Sequence, residues 1–454
     1  MNRDGIDEQA AGAQADQEDA QPDDAPSQEA TASQKTTAPS LNRHADFNWL
    51  WLGQSVSSFG TQISMLAIPL TAVLYLHSNA AQLGFLTACE RFALVAPLLF
   101  MGVWVDRHKR RPLLIGADLA RAVVLVVIPV LAWAGDLKVY VLYIAVLLAG
   151  GLSALFGVAY GAYLPSVVPA EQLAAGNQRM QGTESLSQLL GPPVGGFLVA
   201  AIQAPFAILV DACSFLFSAG SLAMVRSVEP RRGADRDSGE RRTTFREIGA
   251  GVKATASDPV LRNIAGSASI FNFCTGILLT IFILYAVRDR GMNAAEIGIV
   301  NAAFGAGGLL GAILLGRALD RFGYGPFLVR AYLVAIVAIV AIPIIGGRGI
   351  TATALFCVAY FVAGLGVIGA NIAETTLWQL IVPSNMQGRV RASFNFAIGA
   401  LAPVAALIAG LLGTTIGLRA TLAVAAVLIP FSMLWFIGSP LPRLRTPEPA
   451  AAQD

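Results

Sequence analysis

Gly102-Val103-Trp104-Val105-Asp106-Arg107-His108-Lys109-Arg110-Arg111 joins two apolar runs, Leu83 to Phe100 and Pro112 to Trp133. A helix that crosses the roughly 30 Å hydrocarbon core of a bilayer needs about 20 apolar residues, so the basic stretch reads as a tight elbow outside the membrane between two spans. A second elbow, Gly316-Arg317-Ala318-Leu319-Asp320-Arg321-Phe322-Gly323, again follows a long apolar run and again sets Asp-Arg four residues after Gly. Gly102 and Gly316 are 214 positions apart, and the same offset carries Pro169 onto Pro383 and Gly196 onto Gly410 in matching hydrophobic surroundings. The chain reads as a duplicated unit.

Internal repeats of this length are a frequent plan in secondary transporters. The pattern Gly-x-x-x-Asp-Arg-x-x-Arg-Arg between the second and third spans resembles motif A of the major facilitator superfamily, and the resemblance covers roughly residues 47–440. It implies an all-α polytopic membrane protein with 12 transmembrane helices in two pseudo-symmetric six-helix bundles around a cavity that opens alternately to either side. Carried over, Gly102 would permit close helix approach, Asp106 and Arg107 would make the gate's charge contacts, and Arg110 and Arg111 would form the basic flank. Gly316, Asp320 and Arg321 repeat the motif in the second half. The family usually has glycine where Lys109 stands, and a left-handed backbone there would cost Lys109 roughly 1 kcal/mol.

Composition agrees with a membrane solvent. Of 454 residues, 55% are apolar and 13% charged, with a mean hydropathy of +0.62, which excludes an ordinary soluble globular protein. The net charge of +2 hides an acidic first forty residues and an excess of Lys and Arg in alternate loops. No basic patch points to nucleic acid. Cys89, Cys213, Cys274 and Cys357 all lie in apolar runs without paired spacing, so neither a disulfide framework nor a metal site is expected. No cofactor is expected either. The chain begins without a basic segment followed by an apolar one, so the first span is expected to serve as the targeting signal.

Five segments follow in order. Residues 1–40, rich in Asp, Glu, Gln, Pro and Ser, cannot bury enough surface to offset their ordering entropy and read as a disordered acidic cytoplasmic tail. Residues 41–226 hold six apolar spans and form the N-terminal bundle, 227–260 a cytoplasmic linker, 261–440 a second set of six and the C-terminal bundle, and 441–454 a cytoplasmic tail. The expected spans are 47–76, 83–105, 112–133, 139–163, 178–202, 205–225, 263–287, 295–319, 325–345, 352–382, 393–416 and 421–437. In the linker, Thr244-Phe245-Arg246-Glu247 has capping-box spacing ahead of Ile248 and Val252, which predicts a short amphipathic helix on the inner leaflet. Cations crowd the loops after spans two, six, eight and ten and the C-terminal tail, so these face the cytoplasm with both termini. Arg288-Asp289-Arg290 breaks the rule, and Lys138, Arg348 and Arg419 are further exceptions.

Gly191-Pro192-Pro193-Val194-Gly195-Gly196 in the fifth span removes a helix hydrogen bond and lets another backbone approach. It resembles motif C, Gly-Pro-x-x-Gly-Gly, which in the family marks antiporters that expel substrate. Ser187 stands where an earlier glycine is common.

Ionisable groups inside a bilayer are expensive and therefore candidates for function. Glu90, Arg91, Glu184, Asp211 and Glu374 form that set here, as proton-coupling or substrate residues. Glu90 and Arg91 are adjacent and point about 100° apart on a helix, so one is expected to face the cavity and the other a neighbouring helix. Asp118 and Arg121, at i,i+3 spacing near the inner end of span three, are expected to partner the basic elbow. Gln54, Ser58, Thr61 and Gln62 make a polar stripe on span one, and Asn272 and Asn371 supply later amides to the cavity wall. Phe271, Phe273, Tyr360 and Trp378 are available for an aromatic wall.

The favoured reading is a secondary active exporter of an amphipathic organic compound by proton antiport, a monomer in the cell inner membrane, similar to the macrolide and siderophore exporters of the superfamily. Importers and facilitators of a metabolite are the alternative, and a non-transporting receptor is more remote. His44, His77 and His108 all lie outside the spans and no His-Glu-x-x-His pattern occurs, which argues against an intramembrane enzyme.

Overall fold

Among the described residues the apolar runs become helices, and the short interruptions between them become turns. The computed structural model describes residues 44–95, 101, 104–105, 107–227, 253, 255–383 and 386–444. The first six helices are α1 (Ala45–Leu70, extended by a π-helical turn, Thr71–Tyr75), α2 (Ala80–Val95), α3 (Arg110–Ala134), α4 (Val139–Val167), α5 (Leu173–Ile202) and α6 (Ala204–Met224). The second six are α7 (Pro259–Arg288), α8 (Ala294–Phe322), α9 (Tyr324–Ala341), α10 (Ile350–Ile381), α11 (Gln387–Thr415) and α12 (Leu418–Leu428, continued as a 3-10 segment, Ile429–Phe436).

Among the described residues, ten helices are long and apolar enough to cross a membrane, with Gly399–Thr415 of α11 as a shorter apolar helix. The expected spans are met closely except at two ends: α2 is described only to Val95 of the expected 83–105, and α9 ends at Ala341 against the expected 345. Most helices overrun them by a few residues, because a helix continues past the hydrocarbon until its sequence supplies a stop. The linker helix expected over 244–252 and the tails at 1–40 and 445–454 lie outside the described residues, as do Gly102 and Asp106 of the first elbow.

Helices α1 to α6 form one bundle and α7 to α12 the other. Within the first, α1 packs on α5 and α6, α3 on α4 and α6, and α2 on α4; within the second, α10 packs on α8 and α9, and α7 on α11 and α12. The bundles meet where α2 lies along α11 and α5 along α8. Large apolar side chains such as Val123, Val127, Phe197, Ile313 and Leu411 point outward, as lipid-facing surface should.

The 214-residue offset predicted from the elbows governs backbone detail. The helices alternate in direction, so the molecule has an end carrying the elbows and a far end. Each far-end turn holds a residue of positive φ, and these match between halves: His77 (52°) with Gly291 (67°), Gly135 (76°) with Gly349 (61°), and Gln203 (70°) with Gly417 (88°). Helices α2 and α8 both begin in a capping box. Asn79 and Gln82 bond reciprocally at 3.0 and 2.9 Å, and Asn293 and Glu296 at 2.8 and 2.9 Å.

At Lys109 the halves differ. Its backbone is extended, with φ −65° and ψ 127°, whereas Gly323 at the same register has φ 80°. The left-handed cost anticipated for Lys109 is therefore not incurred. The chain enters α3 by a different path.

Three of the five far-end cations that broke the charge rule, Arg288, Arg290 and Arg419, serve as hydrogen-bond donors to backbone. Arg288 Nη2 donates to the carbonyls of His77 at 3.0 Å and Ser78 at 2.8 Å, crossing from the second bundle to the first. Arg290 Nη1 donates to Gly347 O at 3.3 Å, and Arg419 Nε to Pro343 O at 3.0 Å. Loop carbonyls that no helix satisfies thus acquire charged donors.

Candidate functional site

Between the bundles lies a cavity of about 390 Å³, walled by α1, α2, α7 and α11. Its size falls in the range of small-molecule sites. Much of the wall is apolar, with Leu83, Leu94, Phe273, Leu279 and Ile283, and the polar groups converge from both halves: Thr87, Glu90 and Arg91 from α2, Asn272, Thr275 and Thr280 from α7. Glu90 and Arg91 both line this space. The expectation that only one would do so is corrected, because a half-exposed pair at a cavity edge can both extend into it from Cα atoms 100° apart. Asn272, on the cavity wall, donates its Nδ2 to Ala268 O at 2.8 Å.

A second space, of about 590 Å³, is a polar groove in the elbow half of the first bundle. Gln54 and Ser58 of α1, Tyr160 of α4 and Asn177, Gln181 and Glu184 of α5 line it. Glu184 accepts from Ser58 Oγ at 2.8 Å and Gln188 Nε2 at 3.1 Å. Asn177, Gln181, Glu184 and Gln188 recur at helical spacing, a stripe visible in the sequence that the reading of isolated ionisable residues passed over. The polar residues of α1 divide. Gln54 and Ser58 face the groove, Thr61 faces Asp211, and Gln62 packs on Gly191, where a Cβ would lie 2.3 Å from the Gln62 Cβ.

A smaller pocket of about 200 Å³ in the second bundle is lined by Glu374, Trp378, Gln387, Arg391 and Phe394. Glu374 is buried and accepts a hydrogen bond from the buried Tyr332 hydroxyl, whose ring packs edge-on to Phe271. Asn371 is exposed, one turn before Thr375, whose hydroxyl donates to the Asn371 carbonyl at 2.8 Å.

Asp118 and Arg121 pair with each other inside the first bundle. Arg121 also donates to Ser153 Oγ at 3.3 Å, and its guanidinium stacks 4.5 Å from the ring of Phe156 and 4.1 Å from that of Phe215. Buried Asp211 on α6 lies within electrostatic reach of Arg121 and beside Gly60, where a Cβ would come within 2.7 Å of its Oδ1.

In the elbow, Arg107 is exposed, while Arg110 Nη1 donates to Ala162 O of α4 at 2.9 Å and Arg111 to Leu222 O and Ala223 O of α6 at 3.1 and 2.6 Å. The Leu222 and Ala223 carbonyls end α6, where a cation is favoured. Gly316, Asp320 and Arg321 of the second elbow are exposed, with the Arg321 guanidinium 5.4 Å from the ring of Phe322.

The glycines of the fifth span make close contacts of two kinds. Gly195 abuts Ile63 of α1, while Gly196 abuts α8, where a Cβ would lie 2.5 Å from Ala294 O and 3.1 Å from Gly298 Cα. The carbonyl of Pro192 faces Gly298 from the other side.

The sequence model of the Major Facilitator Superfamily matches residues 50–406. The chain belongs to the Major Facilitator Superfamily. Macrolide efflux protein A of Streptococcus pyogenes is 25% identical over 381 residues, covering 82% of this chain and 90% of that protein. The enterobactin exporter EntS of Salmonella typhi is 23% identical over 357 residues, covering 77% and 81%. Among solved structures, a bacterial homologue of the iron transporter ferroportin in its inward-facing state superposes with a TM-score of 0.67 at 18% identity, covering 88% of this chain and 99% of that one. The likeness establishes a shared fold: this superfamily member is an all-helical, multi-pass membrane protein with efflux transporters among its relatives. Among its described residues no cluster of three or more His, Cys, Asp or Glu could hold a metal ion.

Proposed function

We propose that this chain is a secondary active exporter of an amphipathic organic compound, working by alternating access and proton antiport in the cell inner membrane. The observation that carries the reading is the cavity walled by both bundles, apolar over most of its lining yet holding Glu90 and Arg91. Such a wall suits a large apolar compound with a few polar groups. The named activities of the relatives, macrolide efflux and enterobactin export, agree with it. The elbow end is taken as cytoplasmic, with both termini, and the chain as a monomer. The glycine and proline run at Gly191 to Gly196 acts in this reading as the antiporter motif, sealing the far end while the elbow end is open. Asp106 and Arg107 with their counterparts Asp320 and Arg321 act as the opposing gate.

Everted membrane vesicles test it. With an acid interior, vesicles containing the protein should accumulate radiolabelled macrolide or enterobactin and lose that accumulation when a protonophore collapses the gradient. Uptake by intact cells instead of everted vesicles would reverse the direction assigned.

A further inference from the structure

We propose that Asp118, Arg121 and Asp211 form a proton-binding site inside the first bundle, separate from the cavity between the bundles and reached from the polar groove through Gln54 and Ser218. The proposal deepens the antiport reading by locating the ion apart from the substrate.

Charge balance is the starting point. Asp118, Arg121 and Asp211 are 0%, 5% and 2% exposed, so two carboxyl groups lie near one guanidinium in the bundle interior, Asp118 paired with it and Asp211 within its electrostatic reach. An uncompensated charge there is far more costly than a neutral group. One proton bound by either carboxylate makes the cluster neutral. Among the described residues the surroundings supply no second cation: α1 presents Gly60, Thr61 and Ser64, α4 presents Ser153 and Phe156 with Tyr160 on the groove wall, α5 turns Glu184 to Ser58 in the groove, and α6 adds Ser214, whose Oγ lies 3.2 Å from Asp211 Oδ1.

A second observation concerns the free oxygen of the Asp118 carboxylate. Asp118 gives Oδ1 to Arg121, while Oδ2, fully buried, has no hydrogen-bond partner among the described residues. The side chain facing this carboxylate from α6 is Ser218. Ser218 Oγ in turn accepts from Gln54 Nε2 at 3.3 Å, and Gln54 lines the groove. A proton enters when Gln54 swings aside and a hydronium from the groove protonates Ser218 Oγ as the Ser218 hydroxyl hydrogen passes to the Asp118 carboxylate, leaving water in the groove and the serine hydroxyl intact. It leaves by the reverse exchange, so no other reactant is consumed. Arg121 couples the two acids and, through Phe156 and Phe215, ties their charge state to the packing of α3 on α4 and α6.

Infrared difference spectroscopy of the full-length protein in liposomes tests this without any transported compound. Wild type minus Asp118→Asn, and wild type minus Asp211→Asn, should each contain one band of a buried protonated carboxyl at neutral pH, because either variant leaves one carboxylate against one guanidinium. Glu90→Gln and Glu374→Gln should leave that band in place. A difference spectrum lacking the band for either aspartate overturns the site. Ser218→Ala, which changes no charge, should keep the band and slow its shift in heavy water several-fold; an unaltered rate overturns the route. Failure of vesicle accumulation with the band intact would remove the export reading and leave the proton site standing.

Discussion

Gly84 on α2 and Gly410 on α11 touch backbone to backbone across the two bundles: a Cβ on Gly84 would lie 2.6 Å from the Cα of Gly410. Gly298 and Gly196, each 214 positions from one member of that pair, repeat the contact between α8 and α5. Two symmetry-related glycine contacts therefore join the bundles near the far end. Small residues at such crossings allow the close approach on which helix association in membranes depends.

Alanine at Gly84 forces that contact apart. Overpacking by a single methyl costs roughly 1–3 kcal/mol, enough to move a two-state population by about fivefold to a hundredfold. Gly84→Ala and Gly298→Ala should each favour the form open at the far end. In a background without the four native cysteines, Leu279→Cys, on the cavity wall and 46% exposed, should react faster with an impermeant maleimide added from the far side. An unchanged rate in both variants would mean that this end does not open there.

Arg288 should act on the same equilibrium. It is the donor from the second bundle to the His77 and Ser78 carbonyls, and a partly exposed charged hydrogen bond contributes about 1 kcal/mol. Arg288→Gln is expected to raise maleimide labelling of Leu279→Cys about three- to tenfold, with Arg288→Lys between wild type and Gln. Equal labelling in all three would reduce Arg288 to a surface contact.

Gln203 carries a conformation that its counterpart assigns to glycine. Gln203 has φ 70° and ψ 154°, and Gly417 has φ 88° and ψ 162°. A side chain in this region costs about 1–3 kcal/mol. Gln203→Gly should therefore raise the thermal midpoint of the detergent-solubilised protein by a few degrees, and Gly417→Ala should lower it. A lower midpoint for Gln203→Gly would show that the glutamine side chain makes a contact outweighing its backbone strain.

The positions of the spans were legible because lipid demands long apolar runs, and the twofold plan was legible because two elbows share one register. The rotation of each helix was not. In α3, Val123 and Val127 face outward while Leu125 and Ile128 face inward, so hydropathy does not distinguish the lipid side from the core. For the same reason, Glu90 and Arg91 read as facing apart although both line the cavity. Gly84 could have been found: the offset that joins Gly196 to Gly410 also joins Gly84 to Gly298. Arg121 could not, since nothing in linear spacing places Phe156 and Phe215 on either side of its guanidinium.

Glu90 and Arg91 supply the sharpest test of the cavity. Removing one charge leaves its neighbour uncompensated in a largely apolar wall, whereas removing both restores neutrality, so the two substitutions should couple. Glu90→Gln and Arg91→Gln are each expected to raise the KM for macrolide in everted vesicles about tenfold, and the double variant should fall short of the combined loss by at least about 1 kcal/mol. Strict additivity would mean that the two side chains meet the substrate independently, and wild-type KM in all three would place the binding site away from this wall.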